Sequence, residues 1–124
     1  MNETSIEWAL QDIEYLERER LITPEMAQRG RDLVGLIFQP TSVFAAVCPI
    51  DDGDLSFYWV AGERSISVDL YEDGGGWYRA RNGQDDQTHE GGTPDWLHEA
   101  LEDFSECVES VNPNWRELRI GLDQ

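Results

Sequence analysis

The chain has 124 residues, of which 26 are acidic and 9 are basic, and its formal net charge is −17. All of the basic residues are arginine. A balance of this sign excludes the basic footprint that direct binding to nucleic-acid phosphates requires.

The length and the ordinary hydrophobic content predict one domain spanning residues 1–124. No apolar run is long enough to cross a membrane, and the N-terminus lacks the basic and apolar regions of a secretory signal. We therefore expect a cytoplasmic protein. Its two cysteines, Cys48 and Cys107, are then expected to be reduced and buried.

Residues 1–40 predict two helices. Thr4 or Ser5 can cap the first helix, and its apolar side chains recur at helical spacing. This stripe consists of Ile6, Ala9, Leu10, Ile13 and Leu16. Thr23 and Pro24 mark the start of the second helix.

The second predicted helix ends before Pro40. Its apolar side consists of Leu33, Val34, Leu36 and Ile37. Gly30 and Gly35 lower its helix propensity, but they allow close packing against the first helix.

Residues 43–81 show the alternation of an antiparallel sheet and predict a meander of three or four strands. The run "VFAAVC" is followed by Pro49, which marks an edge strand or a strand end. The runs "LSFYWVA" and "RSISVDLY" follow, joined by Gly62-Glu63, and "EDGGG" leads through a hairpin turn into "WYRAR". Residues 82–93 are polar turn formers and predict a loop.

Residues 94–111 predict the last helix, which follows Thr93. The remaining residues, 112–124, form a tail in which we expect a short strand or turn at Leu118–Leu122. Its apolar stripe consists of Leu97, Leu101, Phe104, Val108 and Val111. Its acidic side chains are Asp95, Glu99, Glu102, Asp103, Glu106 and Glu109. The predicted fold class is α+β: an antiparallel three- to four-stranded meander packed with two N-terminal helices and one C-terminal helix.

No pattern typical of catalysis or of cofactor binding is present. The "DDGD" at 51–54 groups carboxylates, but it lacks the spacing of a calcium loop and is typical of a solvated turn. His89 and His98 do not have the spacing of a zinc pair, and "EDGGG" joins two strands, unlike a phosphate-binding loop. We expect no catalytic, cofactor-binding or metal-binding residues and a protein that is not an enzyme.

Strand alternation divides the aromatic residues between two faces of the sheet. The helix-covered face is assigned Phe57, Trp59, Ile66, Val68, Leu70, Tyr78 and Ala80. The candidate partner-binding residues of the opposite face are Tyr58, Tyr71, Trp77, Arg79 and Arg81. These residue types often anchor interfaces. Alternatively, the segment around Trp115 covers this face, or its arginines stack on aromatic rings within the monomer.

The segment "PIDDGDLSFYWVAGERSISVDLYEDGGGWY" resembles a pattern that recurs in small uncharacterised bacterial and phage proteins. In that pattern an Asp-Gly turn precedes a strand ending in Trp, a strand of the "sIeI" type, a glycine turn and an aromatic residue. The matching residues are Asp52, Gly53, Leu55, Phe57, Trp59, Ile66, Val68, Gly74 and Tyr78. The resemblance covers about a quarter of the chain and implies an accessory product of mobile or conflict-related genes.

Three explanations of the charge stay open: solubility or a salt-rich cytoplasm, steering toward a basic protein, and imitation of a phosphate backbone. Our hypothesis is a non-enzymatic, acidic protein-binding module. It would act as an anti-CRISPR-like or antitoxin-like inhibitor, whose C-terminal helix masks a basic nucleic-acid-binding surface of a partner protein. The alternative is a self-associating structural or accessory protein, such as a homodimer, that uses the aromatic sheet face.

Overall fold

The computed structural model describes residues 4–50 and 53–115, which form three α-helices and one antiparallel sheet. Helix α1 spans Ser5–Arg18, α2 spans Pro24–Ile37 and α3 spans Trp96–Val111. The strands are β1 (Ala46–Ile50), β2 (Asp54–Ala61), β3 (Arg64–Leu70), β4 (Gly76–Asn82) and β5 (Asp85–Glu90). Their order in the sheet, β1-β2-β3-β4-β5, is that of a meander. The α+β class and the placement of the helices are therefore confirmed, with five strands where three or four were predicted.

Strand β5 replaces most of the loop predicted over residues 82–93. It pairs with β4, with Tyr78 opposite His89 and Ala80 opposite Gln87. All six of its residues are exposed, so the strand has no apolar alternation that could mark it in the sequence. The pairing with β4, through a turn in which Gly83 has φ 63°, makes this segment a strand.

The predicted division of the sheet into two faces is confirmed. One row of the register joins Phe57, Val68 and Tyr78, and the next joins Trp59 and Ile66 to Ala80. Ala80 is half-buried, and the other members of these two rows are buried beneath the helices. The sheet thus contributes one apolar face to the core, and β1 with Pro49 forms one edge of it.

The entry to β1 differs from the prediction, because the strand begins at Ala46 and not at Val43. The backbone N–H of Val43 donates to the Ser105 hydroxyl at 2.9 Å. Its carbonyl oxygen accepts from the Trp59 indole at 3.0 Å. These buried contacts use the polar groups of Val43 that a strand ladder would otherwise need, and they fix α3 against the sheet.

Both predicted N-caps of the first two helices are confirmed. The Thr4 hydroxyl accepts from the Glu7 N–H at 3.3 Å, and the Thr23 hydroxyl accepts from the Met26 N–H at 3.1 Å. Helix α3 begins at Trp96, two residues after Pro94. Its N-cap residue has helical angles and makes no side-chain capping bond.

The apolar stripes of α1 and α2 are rotated from their predicted positions. Trp8, which is not part of the predicted stripe and lies at one flank of it, is buried and packs edge-on against Phe44 with ring centroids 5.6 Å apart. Leu10, on the opposite flank, is correspondingly exposed. On α2, Leu36 is 61% exposed although it was assigned to the apolar side. The larger aromatic side chain of Trp8 gains more from burial and so sets the rotation of α1.

The prediction that both cysteines are buried is wrong. Cys48 is exposed, because it points away from the helices on the edge strand β1, and Cys107 is half-buried. None of the helices in the described ranges combines the length and the hydropathy that crossing a bilayer requires. The predicted strand or turn at Leu118–Leu122 lies outside the described residues.

Candidate interaction surfaces

The six carboxylates of the last helix lie together on the exposed side of α3. Asp95, at the N-cap position, and five glutamate or aspartate residues within the helix are all exposed to solvent. We call them the acidic stripe: Asp95, Glu99, Glu102, Asp103, Glu106 and Glu109. All but Asp103 recur at steps of four and three residues, so they fall within about 80° of the helix circumference. The helix has no lysine or arginine to interrupt them.

The acidic stripe has a charge density close to that of a nucleic-acid strand. From Asp95 to Glu109 the helix rises about 21 Å, at about 1.5 Å per residue. Six carboxylates over that length give roughly one charge every 4 Å, and one strand of B-DNA carries one phosphate about every 3.4 Å. The stripe can therefore present to a basic protein a row of anions that resembles one strand of phosphates.

Within residues 4–50 and 53–115, other elements cover the apolar stripe of α3 only along part of its length. Leu97, Leu101 and Phe104 are buried, as predicted. Val108 is half-buried, and Val111 is 79% exposed. Since β1 pairs with β2 only over Asp54–Tyr58, the last residues of β2 extend past the end of β1 in the described structure. The C-terminal half of α3 lies beside this step, where it has less sheet to pack against.

A groove of about 520 Å³ opens at this step, and we call it the α3 groove. Its lining is almost entirely apolar, and includes Phe44, Tyr58, Val60, Val108, Val111 and Trp115. The rings of Phe44 and Trp115 lie 5.7 Å apart, and Trp115 is itself buried. The Trp115 indole donates a hydrogen bond to the Glu109 carboxylate, so the same residue touches both the groove and the acidic stripe.

On the outer sheet face, strand β3 lies between the predicted partner-binding residues of β2 and those of β4. In the register, Ser67 lies between Tyr58 and Arg79, and Asp69 lies between Ser56 and Trp77. Neighbouring strands are about 4.8 Å apart, so side chains two strands apart are separated by about 10 Å. Strand β3 therefore places small and polar side chains across the middle of this face.

Arg79 forms an ion pair with Asp86 rather than stacking on an aromatic ring. Its Nε and Nη2 donate to the two carboxylate oxygens at 2.9 and 2.6 Å. The hydrogen bond and the charge of Asp86 raise the pKa of Arg79, and the hydrogen bond from Arg79 lowers the pKa of Asp86. This pair occupies one of the two arginines that were predicted to bind a partner.

Tyr71 shows that one end of the outer face is anionic. Partial burial raises the pKa of its phenol, and the nearby carboxylates Asp69, Asp54, Glu90 and Asp73 raise it further. Removing a proton would place another negative charge beside them, which is unfavourable. This end of the sheet therefore extends the negative surface of the molecule.

The histidines and Asp54 have local partners, while Asp51 and Asp52 of the "DDGD" turn lie outside the described residues. Nε2 of His98 lies 3.1 Å from the Gln39 amide nitrogen, and the His89 ring packs beside Tyr78. Asp54, from the "DDGD" turn, accepts from the Glu72 N–H at 2.7 Å. Among the described residues, no group of three or more His, Cys, Asp or Glu side chains has an arrangement that could hold a metal ion.

Comparisons with protein-family models, with curated proteins and with solved structures find no match to this chain.

The α3 groove was not anticipated from the sequence. Its apolar residues on α3 were assigned to the core, because their spacing continues that of Leu97 and Leu101. The length of β1, which follows from its pairing with β2, shows that the described part of the chain leaves the last turns of the helix partly uncovered.

Proposed function

We propose that this chain is a non-enzymatic, acidic protein-binding module that inhibits a partner by masking its basic nucleic-acid-binding surface. The observation that carries the proposal is the acidic stripe, whose six exposed carboxylates lie on one side of a helix without basic residues. The partner is a cytoplasmic protein that binds nucleic acid. The inhibitor acts in the manner expected of an anti-CRISPR-like phage protein or an antitoxin.

The energetics of exposed charges support a multivalent contact. A single exposed ion pair contributes little, roughly 0.2–1 kcal/mol. Six carboxylates on a helix fixed to the sheet can together exceed that contribution, because the side chains are already placed along one line. The net charge of −17 also accelerates encounter with a basic partner, and salt weakens that effect.

Affinity capture with the tagged chain, followed by native mass spectrometry, identifies the partner and its charge. The partner is then loaded with a fluorescent oligonucleotide, and displacement by this protein is followed by anisotropy. We expect displacement at low salt and weaker displacement as salt rises. Capture of a partner that does not bind nucleic acid would contradict the proposal.

A pair of variants tests whether the acidic stripe carries the contact. In the first, Glu99, Glu102, Asp103, Glu106 and Glu109 are changed to their amides. In the control, the same change is made at Glu7, Glu14, Glu19, Glu25 and Asp32, which are exposed on or beside α1 and α2. Both variants change the net charge from −17 to −12. We expect the first to weaken displacement by about tenfold or more and the control to weaken it much less; equal effects would show that only net charge matters.

A second candidate function is self-association through the outer sheet face. It is favoured by the exposure of two apolar side chains there, Tyr58 at 43% and Val60 at 60%. Sedimentation at high protein concentration distinguishes the two functions. A monomer at all concentrations would exclude self-association.

A further inference from the structure

We infer that the α3 groove accepts apolar side chains from the same basic partner, which therefore presents an amphipathic segment. The cations of that segment face the acidic stripe, and an aliphatic or aromatic side chain enters the groove. This inference rests on the proposed function and adds the chemistry of the partner to it.

The acidic stripe and the groove are continuous along one ridge of α3. Residues four apart on a helix form neighbouring positions on its surface. Starting at Glu99, this row continues through Asp103 and Cys107 to Val111, over about 18 Å of helix. The first two are exposed carboxylates, and the last two line the groove. A segment lying along the ridge would meet anions first and apolar side chains next.

Charge at the rim favours a cationic partner. Asp103 is exposed on α3 next to the groove residue Phe104, and Glu63 is exposed in the turn between β2 and β3, beside the groove residue Gly62. Arg64 lies at the same end, where its guanidinium stands 5.9 Å from the centre of the Phe104 ring and approaches the Asp103 carbonyl oxygen at 3.5 Å. This arginine packs on the molecule itself, and the two carboxylates outnumber it among the charged residues described at the rim.

A second copy of the chain is a poorer occupant. Each copy has a net charge of −17, and docking two grooves together would bring two acidic stripes close to each other. Like charges placed together at an interface oppose association. A basic amphipathic segment is stabilised both by attraction to the acidic stripe and by burial of apolar side chains in the groove. Its positive charge distinguishes it from a second copy of this acidic chain.

Two synthetic helical peptides serve as probes. Both carry the same number of lysines on one face. On the opposite face, the leucine peptide has leucines and the glutamine peptide has glutamines at the same positions. Binding is measured by calorimetry at physiological salt. We expect the leucine peptide to bind about tenfold more tightly, since burial of leucine side chains adds to the same charge contacts.

Variants then test whether the tighter binding of the leucine peptide arises in the groove. Val60 and Val111 line the groove and are 60% and 79% exposed, so V60N/V111N alters the groove without opening the core. We expect this variant to bind the two peptides equally. The control L36N changes a side chain on α2 that is 61% exposed, and it should keep the full difference.

The cysteines of the unmodified protein give a second measurement. Cys107 lines the groove, and Cys48 is exposed on β1. We expect the leucine peptide to slow alkylation of Cys107 at least about fivefold, the glutamine peptide to slow it far less, and neither to affect Cys48.

The outcomes separate this inference from the proposed function. Equal binding of both peptides, or a leucine advantage that persists in V60N/V111N, would overturn the groove inference and leave the acidic stripe intact. Failure of both peptides to bind even at low salt would overturn the basic partner itself. A dimer of the protein alone that V111N by itself dissociates would assign the groove to a second copy, since Val111 lies on α3 and not on the outer sheet face.

Discussion

Arg29 connects two elements that lie more than forty residues apart in the sequence. From α2, its guanidinium donates to the carbonyl oxygens of Tyr71, Gly74 and Gly75, the last at 2.8 Å. These groups belong to the turn between β3 and β4, where Gly74 has φ 106°. A half-buried arginine thus satisfies the turn carbonyls and fixes the hairpin to the helix.

Replacing this arginine should destabilise the protein. R29M keeps much of the apolar stem but removes the charged donor shared by the three carbonyl oxygens, of which those of Tyr71 and Gly75 keep a backbone N–H partner in the turn. We expect the loss of these charge-assisted hydrogen bonds to lower the free energy of unfolding by about 2 kcal/mol. Urea denaturation at neutral pH measures it. R18M is the matched control, because Arg18 is exposed and lies 5.9 Å from the Tyr15 ring. We expect R18M to lower the free energy of unfolding by less than about 1 kcal/mol. A decrease as large as that caused by R29M would contradict the role of the turn contacts.

At the scale of elements, the two glycines of α2 differ in how closely other side chains approach them. A Cβ at Gly30 would lie 2.8 Å from Cδ2 of Leu55 and 3.2 Å from Cδ1 of Ile13, so this glycine allows α2 to approach both α1 and β2. At Gly35 a Cβ would meet nothing within 4 Å. The close packing predicted for both positions is therefore confirmed for Gly30 and wrong for Gly35.

This difference predicts opposite effects of the same substitution. G35A should raise the free energy of unfolding by about 0.5–1 kcal/mol, because alanine favours the helix and fits the open space. G30A gains the same propensity but forces the buried side chain of Leu55 to move, so we expect a net loss of about 1–2 kcal/mol. Thermal and urea denaturation of the two variants measure this, and stabilisation by G30A would show that the core yields easily there.

At the scale of the whole molecule, the net charge of −17 opposes the compact state. The described ion pairs Arg31–Glu17 and Arg79–Asp86 are both solvent-accessible, so they offset only a small part of the repulsion. The acidic stripe has no lysine or arginine on its own helix to screen its charge.

Salt should therefore stabilise the fold. The Debye length shortens from about 30 Å at 0.01 M to about 3 Å at 1 M, so the melting temperature should rise over this range of sodium chloride. The rise should be smaller in either variant of net charge −12 described above. A melting temperature that falls with salt would show that attractive pairs outweigh the repulsion.

The sequence by itself determined the three helices, two of their caps, the inner and outer faces of the meander and the line of carboxylates on α3. Each of these follows from a period or a short motif that acts within one element, so neighbouring residues suffice to predict it. The resemblance to bacterial and phage proteins, the partner and the absence of enzymatic activity stay predictions.

Only the tertiary structure decided the rest. Strand β5 exists because β4 offers it an edge, the rotation of α1 follows from the packing of Trp8 on Phe44, and the α3 groove opens because β1 is shorter than β2. The spacing of Val108 and Val111 shows that α3 has an apolar side along its whole length. Whether another element of the described structure covers that side depends on contacts between distant segments, which no local pattern records.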